Sequence, residues 1–460
     1  MGKNKKRSKK NNFQQYIVTT AQACVRPHKR FLEGLERYAN DNNVEDIHII
    51  PTFGQDASER DLHSAFSGFT IIDKEFHYNN SIKAQHRRIR PQMIDPATGM
   101  AHVVRDGKSV IFESPQIRFK TVPTVPSKQP KFLTTTGAVT LPNYASSTDS
   151  AAERQRLGLI AKDNHMYGAI LVQVINSQRY HIRHLHANNK GEFVDLGVAY
   201  DGNTIRDAKC KALIYGDWHH GVGLKQNYDA SFEQARYLQP EVGVLHDIFD
   251  GHSVNPYVQK EFIYQQIRQG VHKGHLKLEQ ELIGCGKDIM KLSGLHKLLV
   301  IDPANHHNFL DRWLDEGRFM RDPSNAELGF KLAQAYAQGA DPVEEGMKLV
   351  GHKFPSHVKF LKPGESFRVK GYELGQHGHQ GGNGSRGSLK QREHMYGKSI
   401  VGHSHSPEDY RYAHIVGTHV PRDIFYAKGG PSGWLARNMT IYDTGTTQGI
   451  NTIDGEWNLK

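Results

Sequence analysis

The sequence predicts an α/β protein in which short apolar strands alternate with amphipathic helices. Near the amino terminus, a strand-like run at Tyr16–Thr20, a helix-like segment at Lys29–Tyr38 and a second apolar run at Ile47–Ile50 give a β-α-β order. From about residue 205 onward, short apolar runs recur and each ends in Asp, His or Asn. Helix-like stretches at Val258–Met290 and Ala326–Gln338 separate these runs, which is typical of an α/β domain with its site at the sheet edge.

Composition and pattern divide the 460 residues into three parts. Residues 1–12 form a basic run that predicts a disordered tail, with Lys or Arg at Lys3, Lys5, Lys6, Arg7, Lys9 and Lys10. Residues 13–205 predict an amino-terminal α/β domain of unknown role. A boundary is placed where the Gly- and Asp-containing segment Tyr200–Thr204 interrupts the pattern, so residues 206–460 form a second α/β domain.

Charge and cysteine content restrict the partners and the compartment. The net charge of +11 favours polyanionic partners, of which nucleic acid is the commonest. The basic tail either adds salt-sensitive phosphate contacts to DNA or only keeps the chain in solution. The cysteines, Cys24, Cys210 and Cys285, show no close pairing, so we expect a reducing, cytoplasmic compartment. No stretch approaches the ~20 apolar residues of a membrane helix, and we expect no membrane span.

Five clusters of Asp, His and Asn follow the predicted strands of the second domain. Any one cluster would be weak, but together they supply carboxylate, amide oxygen and imidazole, the ligands that suit a pair of divalent metals. One carboxylate can bridge two ions about 3.5–4 Å apart. The clusters are Asp217 and His219 after Lys211–Tyr215, Asp247 and Asp250 after Val242–Leu245, Asn305 and His306 after Leu298–Ile301, His377 and His379 after Gly371–Leu374, and His403 and His405 after Ser399–Val401.

This order of motifs resembles the calcineurin-like metallophosphoesterase superfamily over about residues 211–450. The motifs read Asp-x-His, Asp-x-x-Asp, Asn-His, His and Gly-His-x-His. The resemblance implies that residues 206–460 form a four-layer α/β/β/α catalytic domain that binds two divalent ions. Mn²⁺ is favoured, with Mg²⁺, Fe²⁺ and Zn²⁺ as alternatives. The ions would lower the pKa of a bridging water, so that hydroxide attacks phosphorus in line.

The resemblance also implies a role for each motif residue. His306 would donate a hydrogen bond or proton to the leaving oxygen, and Asp250 would orient His306. His377 and His379 could each be the fourth-motif ligand; the family pattern favours His377, which leaves His379 as a substrate contact or a structural residue. The implied ligands are Asp217, His219, Asp247 and His405 for the first metal, and Asn305, His377, His403 and the bridging Asp247 for the second.

Two positions depart from the family pattern. The usual glycine before the bridging aspartate is His246, and the usual Gly-Asn-His-Asp/Glu reads Ala304-Asn305-His306-His307. Neither change removes a predicted ligand, so the assignment of the metal site is kept.

The residues after Asp250 indicate a branch of the superfamily. Protein phosphatases of this fold continue with Asp-Arg-Gly, whereas here Asp250 is followed by Gly251, His252 and Ser253. This segment resembles the nuclease branch, which includes the bacterial SbcD-type repair nuclease.

Two glycine-rich segments add to the resemblance. Residues 375–388 and 429–434 are similar to large phage-encoded metallophosphoesterases, including the pre-early DNA-transfer nuclease of some tailed phages. The implied function is a manganese-dependent DNase that acts in the cytoplasm of an infected cell. His252 and His379 are candidate substrate contacts. Arg386 is either a phosphate ligand, as its fork geometry suits, or a structural salt bridge.

Two other functions are weighed against the DNase. One is a small-molecule phosphatase or cyclic-nucleotide phosphodiesterase, which the missing arginine, the basic charge and the additional domain disfavour. The other is a catalytically idle protein that binds a host DNA-repair or nuclease complex, which the full set of predicted ligands disfavours.

Overall fold

The computed structural model has a mixed α/β fold, as the sequence predicts. It describes residues 13–53, 61–144, 152–256, 277–424 and 429–458. These residues form eight α-helices and four β-sheets. The predicted basic tail and the first part of the predicted helix Val258–Met290 lie outside the described residues; the described end of that segment forms the helix Leu278–Ser293.

A six-stranded sheet carries the first three predicted motif strands. Four neighbouring strands pair in parallel and two further strands complete the sheet in antiparallel pairing. Because parallel strands present their carboxyl ends at one edge, the loops that follow them meet there. The order across the sheet is Val358–Phe360, Leu298–Ile301, Val242–Leu245, Cys210–Ile214, Ala436–Tyr442 and Thr447–Thr452.

Side chains of this sheet alternate between two buried cores. Leu213 and Leu245 face a layer of helices, whereas Ile214 and Val244 face a second sheet and pack with its Ile400. This alternation explains why the strands are apolar throughout, since both of their faces are covered. The helical layer contains Lys225–Leu238, Leu278–Ser293, His307–Asp315, Ala326–Tyr336 and Pro342–Leu349.

The second sheet has ten strands and contains residues from both halves of the chain. The two halves join where Glu408–Tyr410 pairs antiparallel with Arg118–Val122. The predicted boundary near residue 205 therefore separates strands of one sheet, and the division into domains stays a prediction. The order is Arg368–Val369, Tyr372–Glu373, Ser399–Val401, Ala413–Ile415, Glu408–Tyr410, Arg118–Val122, Lys131–Thr135, Ser109–Phe112, Ile82–Gln85 and Glu75–His77.

A helix lies on the outer face of this ten-stranded sheet. Leu389 of the helix Leu389–Tyr396 packs with Tyr410 and Ala413.

The amino-terminal β-α-β order is confirmed. A strand at Gln14–Gln22, a helix at Lys29–Asn42 and a strand at Asp46–Thr52 follow one another, and the two strands pair in parallel. A hairpin lies later in the amino-terminal part, where Gly168–Val174 pairs antiparallel with Tyr180–His186.

The remaining elements complete the amino-terminal part. The strand Thr70–Ile71 extends the amino-terminal sheet to five strands, and the helix Ala152–Asp163 precedes the hairpin. Three short antiparallel strands at Phe193–Asp195, Val198–Asp201 and Thr204–Asp207 form a separate sheet. In the described part of the chain, every helix is too short or too polar to cross a membrane.

Candidate metal centre

Nine of the predicted site residues meet at one place. Loops after three strands of the six-stranded sheet approach the loops that follow Tyr372–Glu373 and Ser399–Val401 of the ten-stranded sheet. The residues are Asp217, His219, Asp247, Asp250, Asn305, His306, His377, His403 and His405. Residues separated by up to about two hundred positions are therefore brought to the junction of the two facing sheets.

A first group consists of Asp217, His219 and His405, all of them buried. The Nε2 atom of His405 lies 3.2 Å from Oδ2 of Asp217 and 3.0 Å from Nε2 of His219. Two imidazole nitrogens this close repel each other if both present lone pairs, so a proton or a cation must lie between them. The group therefore has the geometry of a cation site.

A second group forms around Asn305. Its Oδ1 atom lies 3.0 Å from Nε2 of His377 and 2.9 Å from Nδ1 of His403. Oδ2 of Asp247 is 3.5 Å from Nε2 of His377 and also 3.5 Å from Nε2 of His219 in the first group. Asp247 thus lies between the two groups, which is where a bridging carboxylate would stand.

The residues present fit divalent metal ions. Oδ1 of Asp217 and Oδ1 of Asp247 are buried and have no hydrogen-bond partner in the described structure. A buried charged oxygen without a partner is costly, and a cation removes that cost. Carboxylate, amide oxygen and imidazole together suit Mn²⁺, Fe²⁺ or Zn²⁺. The buried clusters of His and Asp can therefore hold metal ions.

The electrostatics of the imidazoles agree with this fit. Burial lowers the pKa of His219 to about 4 and, with the nearby His377, lowers that of His403 to about 4. Both imidazoles are then neutral at pH 7, the form that binds a metal.

The two central carboxylates respond differently to their surroundings. Burial raises the pKa of Asp247 well above its ordinary value, and the nearby carboxylates of Asp217 and Asp302 raise it further. Burial also raises the pKa of Asp217, but His377, His405 and His219 outweigh this effect and hold it below its ordinary value. A bound cation would favour the ionised form of both groups.

Four predicted ligands have left-handed backbone conformations. The φ angles are +48° at His219, +48° at Asp247, +75° at His403 and +60° at His405. For residues other than glycine, such conformations cost on the order of 1–3 kcal/mol each and concentrate at functional sites. The loops here aim donor atoms at a common point instead of adopting relaxed turns.

The glycine of the Gly-His-x-His motif is required by a close approach. A Cβ atom on Gly402 would lie 2.1 Å from Oδ1 of Asp217, so any larger residue would displace that carboxylate. The next residue uses the same approach, because the backbone N–H of His403 donates to Oδ2 of Asp217 at 2.8 Å. Gly402 thus holds two predicted ligands in place.

Asp250 positions two histidines by different atoms. Nδ1 of His219 donates to its carboxylate at 3.0 Å, whereas Nδ1 of His306 donates to its backbone carbonyl oxygen at 2.6 Å. Burial raises the pKa of Asp250, but the hydrogen bond from His219 outweighs it, so the carboxyl group stays ionised. The sequence predicts that Asp250 orients His306; in the structure its backbone carbonyl makes the closer contact and its carboxylate holds His219.

The predicted substrate contacts lie at the rim of the centre or behind it. His379 is half-buried, with its ring 5.7 Å from that of His377 and 6.1 Å from that of His403. Since His377 rather than His379 contacts Asn305, the geometry favours His377 as the ligand. His252 is buried, with Nδ1 4.0 Å from Asp250 Oδ2. Arg386 is exposed beside a cleft that also reaches His403.

Two further residues of the centre, Asp302 and His246, were not predicted as site residues; His246 was noted only as a departure from the family pattern. Both are fully buried, and Nδ1 of His246 donates to Oδ2 of Asp302 in a short hydrogen bond. The same oxygen lies 3.6 Å from Nδ1 of His377. A carboxylate behind a ligand histidine fixes its tautomer and turns the other nitrogen toward the metal. The sequence could have identified Asp302, because it directly follows the strand Leu298–Ile301, as the other site residues follow theirs.

The comparison with known proteins gives one relative. The chain is similar to "Protein A1" of Escherichia phage T5, at 26% identity over an alignment of 480 residues that covers 96% of this chain and 82% of that protein. The similarity extends over nearly the whole chain and makes it a phage-related protein. No protein-family model and no solved structure matches it.

Proposed function

We propose that this protein is a phage-encoded, metal-dependent deoxyribonuclease of the metallophosphoesterase type. The observation that carries the proposal is the position of Asp247 between two groups of buried or half-buried carboxylate, amide and imidazole donors. Two cation sites that share one carboxylate are the arrangement used to hydrolyse phosphate esters. The similarity to a phage protein supports a role in the cytoplasm of an infected cell.

The proposed fold of the catalytic part is a four-layer α/β/β/α sandwich. Its support is the packing of the six-stranded sheet between helices and the ten-stranded sheet, and of the helix Leu389–Tyr396 on the outer face of the latter. Residues 206–460 would form this unit, with strands of the amino-terminal part added to its second sheet.

The metals would be held as the motifs imply. Asp217, His219, His405 and Asp247 would hold one ion; Asn305, His377, His403 and the shared Asp247 would hold the other. When bound, two such ions, in our proposal Mn²⁺, supply a nucleophile at neutral pH and neutralise charge on the phosphate oxygens.

His306 is the proposed general acid. The carbonyl oxygen of Asp250 accepts its Nδ1 proton, and its Nε2 atom points toward the cluster, 3.8 Å from Oδ2 of Asp247. A proton on Nε2 would pass to the oxygen of the departing DNA strand. General acid catalysis of this kind contributes about 10²–10⁴-fold to the rate.

DNA is the proposed substrate because the chain as a whole is basic. The net charge is +11, and six lysines and arginines stand within residues 1–12. Both features favour a polyanion over a small phosphate ester, which carries only one or two charges. A small-molecule phosphatase would need neither.

The test is cleavage of linear and closed circular DNA by the purified full chain. Reactions contain Mn²⁺, Mg²⁺ or EDTA, and Asp247→Asn serves as the control. We expect metal-dependent cutting that the substitution abolishes; cutting of closed circles would define an endonuclease. If DNA stays intact while bis(p-nitrophenyl) phosphate is hydrolysed, the metal centre stands and the DNA assignment is wrong.

A further inference from the structure

A cleft of about 750 Å³ opens beside the candidate metal centre. One side contains His403, a predicted ligand, and the following Ser404 and Ser406. A second side is the end of the glycine-rich segment and the start of the helix Leu389–Tyr396. The third side comes from the amino-terminal part of the chain, at Ile94, Asp95 and Thr98.

The amino-terminal side of the cleft is held firmly against the carboxy-terminal part. Arg118 binds Asp95 at 3.0 Å and forms a shorter ion pair with Glu408. The hydroxyl group of Tyr410 donates to the carbonyl oxygen of Ile94 at 2.9 Å. The Arg118–Glu408 and Tyr410–Ile94 contacts join the two halves of the chain, so this wall is a fixed part of the cleft.

The side chains that line the cleft carry a net positive charge. Four lysine and arginine side chains line it against two carboxylates, so it attracts anions. Arg118 is neutralised by the two carboxylates, Asp95 and Glu408, and Arg392 donates to the carbonyl oxygens of Gly378 and Gln380.

The two remaining cations, Arg386 and Lys390, are exposed. In the part of the chain that the structure describes, neither forms an ion pair, so both are available to an anion.

We propose that this cleft binds a phosphate that flanks the scissile one on a single polynucleotide strand, with Arg386 and Lys390 as its ligands. The inference rests on the proposed function and adds a substrate subsite to it. The amino-terminal wall at Ile94 and Thr98 lines the same cleft as the two cations, and its volume of about 750 Å³ suits one strand rather than a duplex. The amino-terminal part thus contributes directly to substrate selection.

The test compares two charge-matched double variants of the full chain. Arg386→Gln/Lys390→Gln removes the cleft cations, and Arg105→Gln/Lys190→Gln removes two exposed cations elsewhere. The substrates are single-stranded oligothymidylate, the duplex of equal length, and bis(p-nitrophenyl) phosphate, which has no flanking phosphate. A third variant, Arg386→Lys/Lys390→Arg, keeps both charges.

We expect the cleft variant to raise KM for the single strand by about tenfold, with a much smaller change in kcat, as the loss of charged hydrogen bonds implies. Its slope of log kcat/KM against log salt should be shallower by about 0.7, the contribution of one phosphate contact on a single strand. The charge-preserving variant should restore both values, and the control pair should match the wild type.

Equal KM values for the cleft and control variants would overturn the subsite while leaving the nuclease intact. If the wild type does not cut DNA, the proposed function fails and the subsite is judged by binding of fluorescein-labelled oligothymidylate in EDTA. A weaker affinity of the cleft variant alone would support the subsite, and equal affinities would refute it. Equal rates on the single strand and the duplex would contradict the single-strand assignment.

Discussion

The substitution Asp302→Asn tests whether Asp302 orients His377, a predicted metal ligand. Oδ2 of Asp302 accepts the short hydrogen bond from His246 and lies 3.6 Å from Nδ1 of His377, while its Oδ1 atom has no hydrogen-bond partner in the described structure. An asparagine that keeps its oxygen on the histidines buries an amide NH₂ at the position of Oδ1. An asparagine in the opposite orientation turns the NH₂ toward the histidines and favours a proton on Nε2 of His377, the nitrogen that faces the metal.

The expected loss has two parts. A change behind a metal ligand lowers metal affinity by about 10–100-fold. At about 1.4 kcal/mol per tenfold, this corresponds to roughly 1.4–2.8 kcal/mol of binding free energy. The metal-free protein is destabilised as well, because removing one partner of a buried ion pair costs about 3–5 kcal/mol. Asp302 carries such a pair: burial lowers the pKa of His246, but the carboxylate outweighs this effect and raises it.

The assay is a calorimetric titration with Mn²⁺, combined with thermal unfolding in EDTA. Asp409→Asn is the matched control, since Asp409 is also buried and binds a histidine, His414, at 2.8 Å, as well as Arg437 at 2.6 Å. The control should lower the unfolding temperature but leave Mn²⁺ affinity unchanged. Wild-type affinity in Asp302→Asn would refute the idea that Asp302 orients His377.

Three further outcomes follow from the centre. Asp247→Asn should raise the unfolding temperature in EDTA, because burial disfavours the ionised form of this carboxylate. It should also abolish the increase in unfolding temperature that Mn²⁺ gives. A lower unfolding temperature in EDTA would contradict the first expectation. His306→Gln should reduce kcat on DNA by about 10²–10⁴-fold with little change in Mn²⁺ affinity, and a larger effect on affinity than on kcat would make it a ligand instead. The metal-free protein should lose stability as pH falls from about 6.5 to about 4. The cause is that His219 and His403 stay neutral in the folded state over this range but accept protons in the unfolded state. Unfolding temperatures in EDTA that do not change over this range would exclude the effect.

Residues that lie together in the structure were easier to identify from the sequence than the architecture around them. The five motif clusters were recognisable because each directly follows a short apolar strand. This pattern is local and can be identified without knowing which strands pair in a sheet. Asp302 has the same position after Leu298–Ile301, but its partner His246 stands 56 residues away, so only the fold shows its role. Likewise, the strand Arg118–Val122 lies in a Pro- and Thr-rich region, and its pairing with Glu408–Tyr410 depends on contacts nearly 300 residues apart.

That long-range pairing explains how the protein can hold a strained site. Asp247, His219, His403 and His405 have left-handed conformations, each costing on the order of 1–3 kcal/mol. Such strain persists only where the surroundings fix the loops. Arg118 ties the strand after His405 to the amino-terminal wall through Glu408 and the carbonyl oxygen of Asp409.

Further along the same segment, Arg411 donates to Gln116 at 2.9 Å and pairs with Glu393. The amino-terminal strands therefore brace the loop that carries His403 and His405, in addition to forming a wall of the cleft. Bound metal would offset part of this strain, because a ligand at 1,000 times its Kd stabilises the folded state by about 4.1 kcal/mol. A chain lacking residues 13–205 should thus lose metal affinity as well as DNA binding, although it retains all seven predicted ligands.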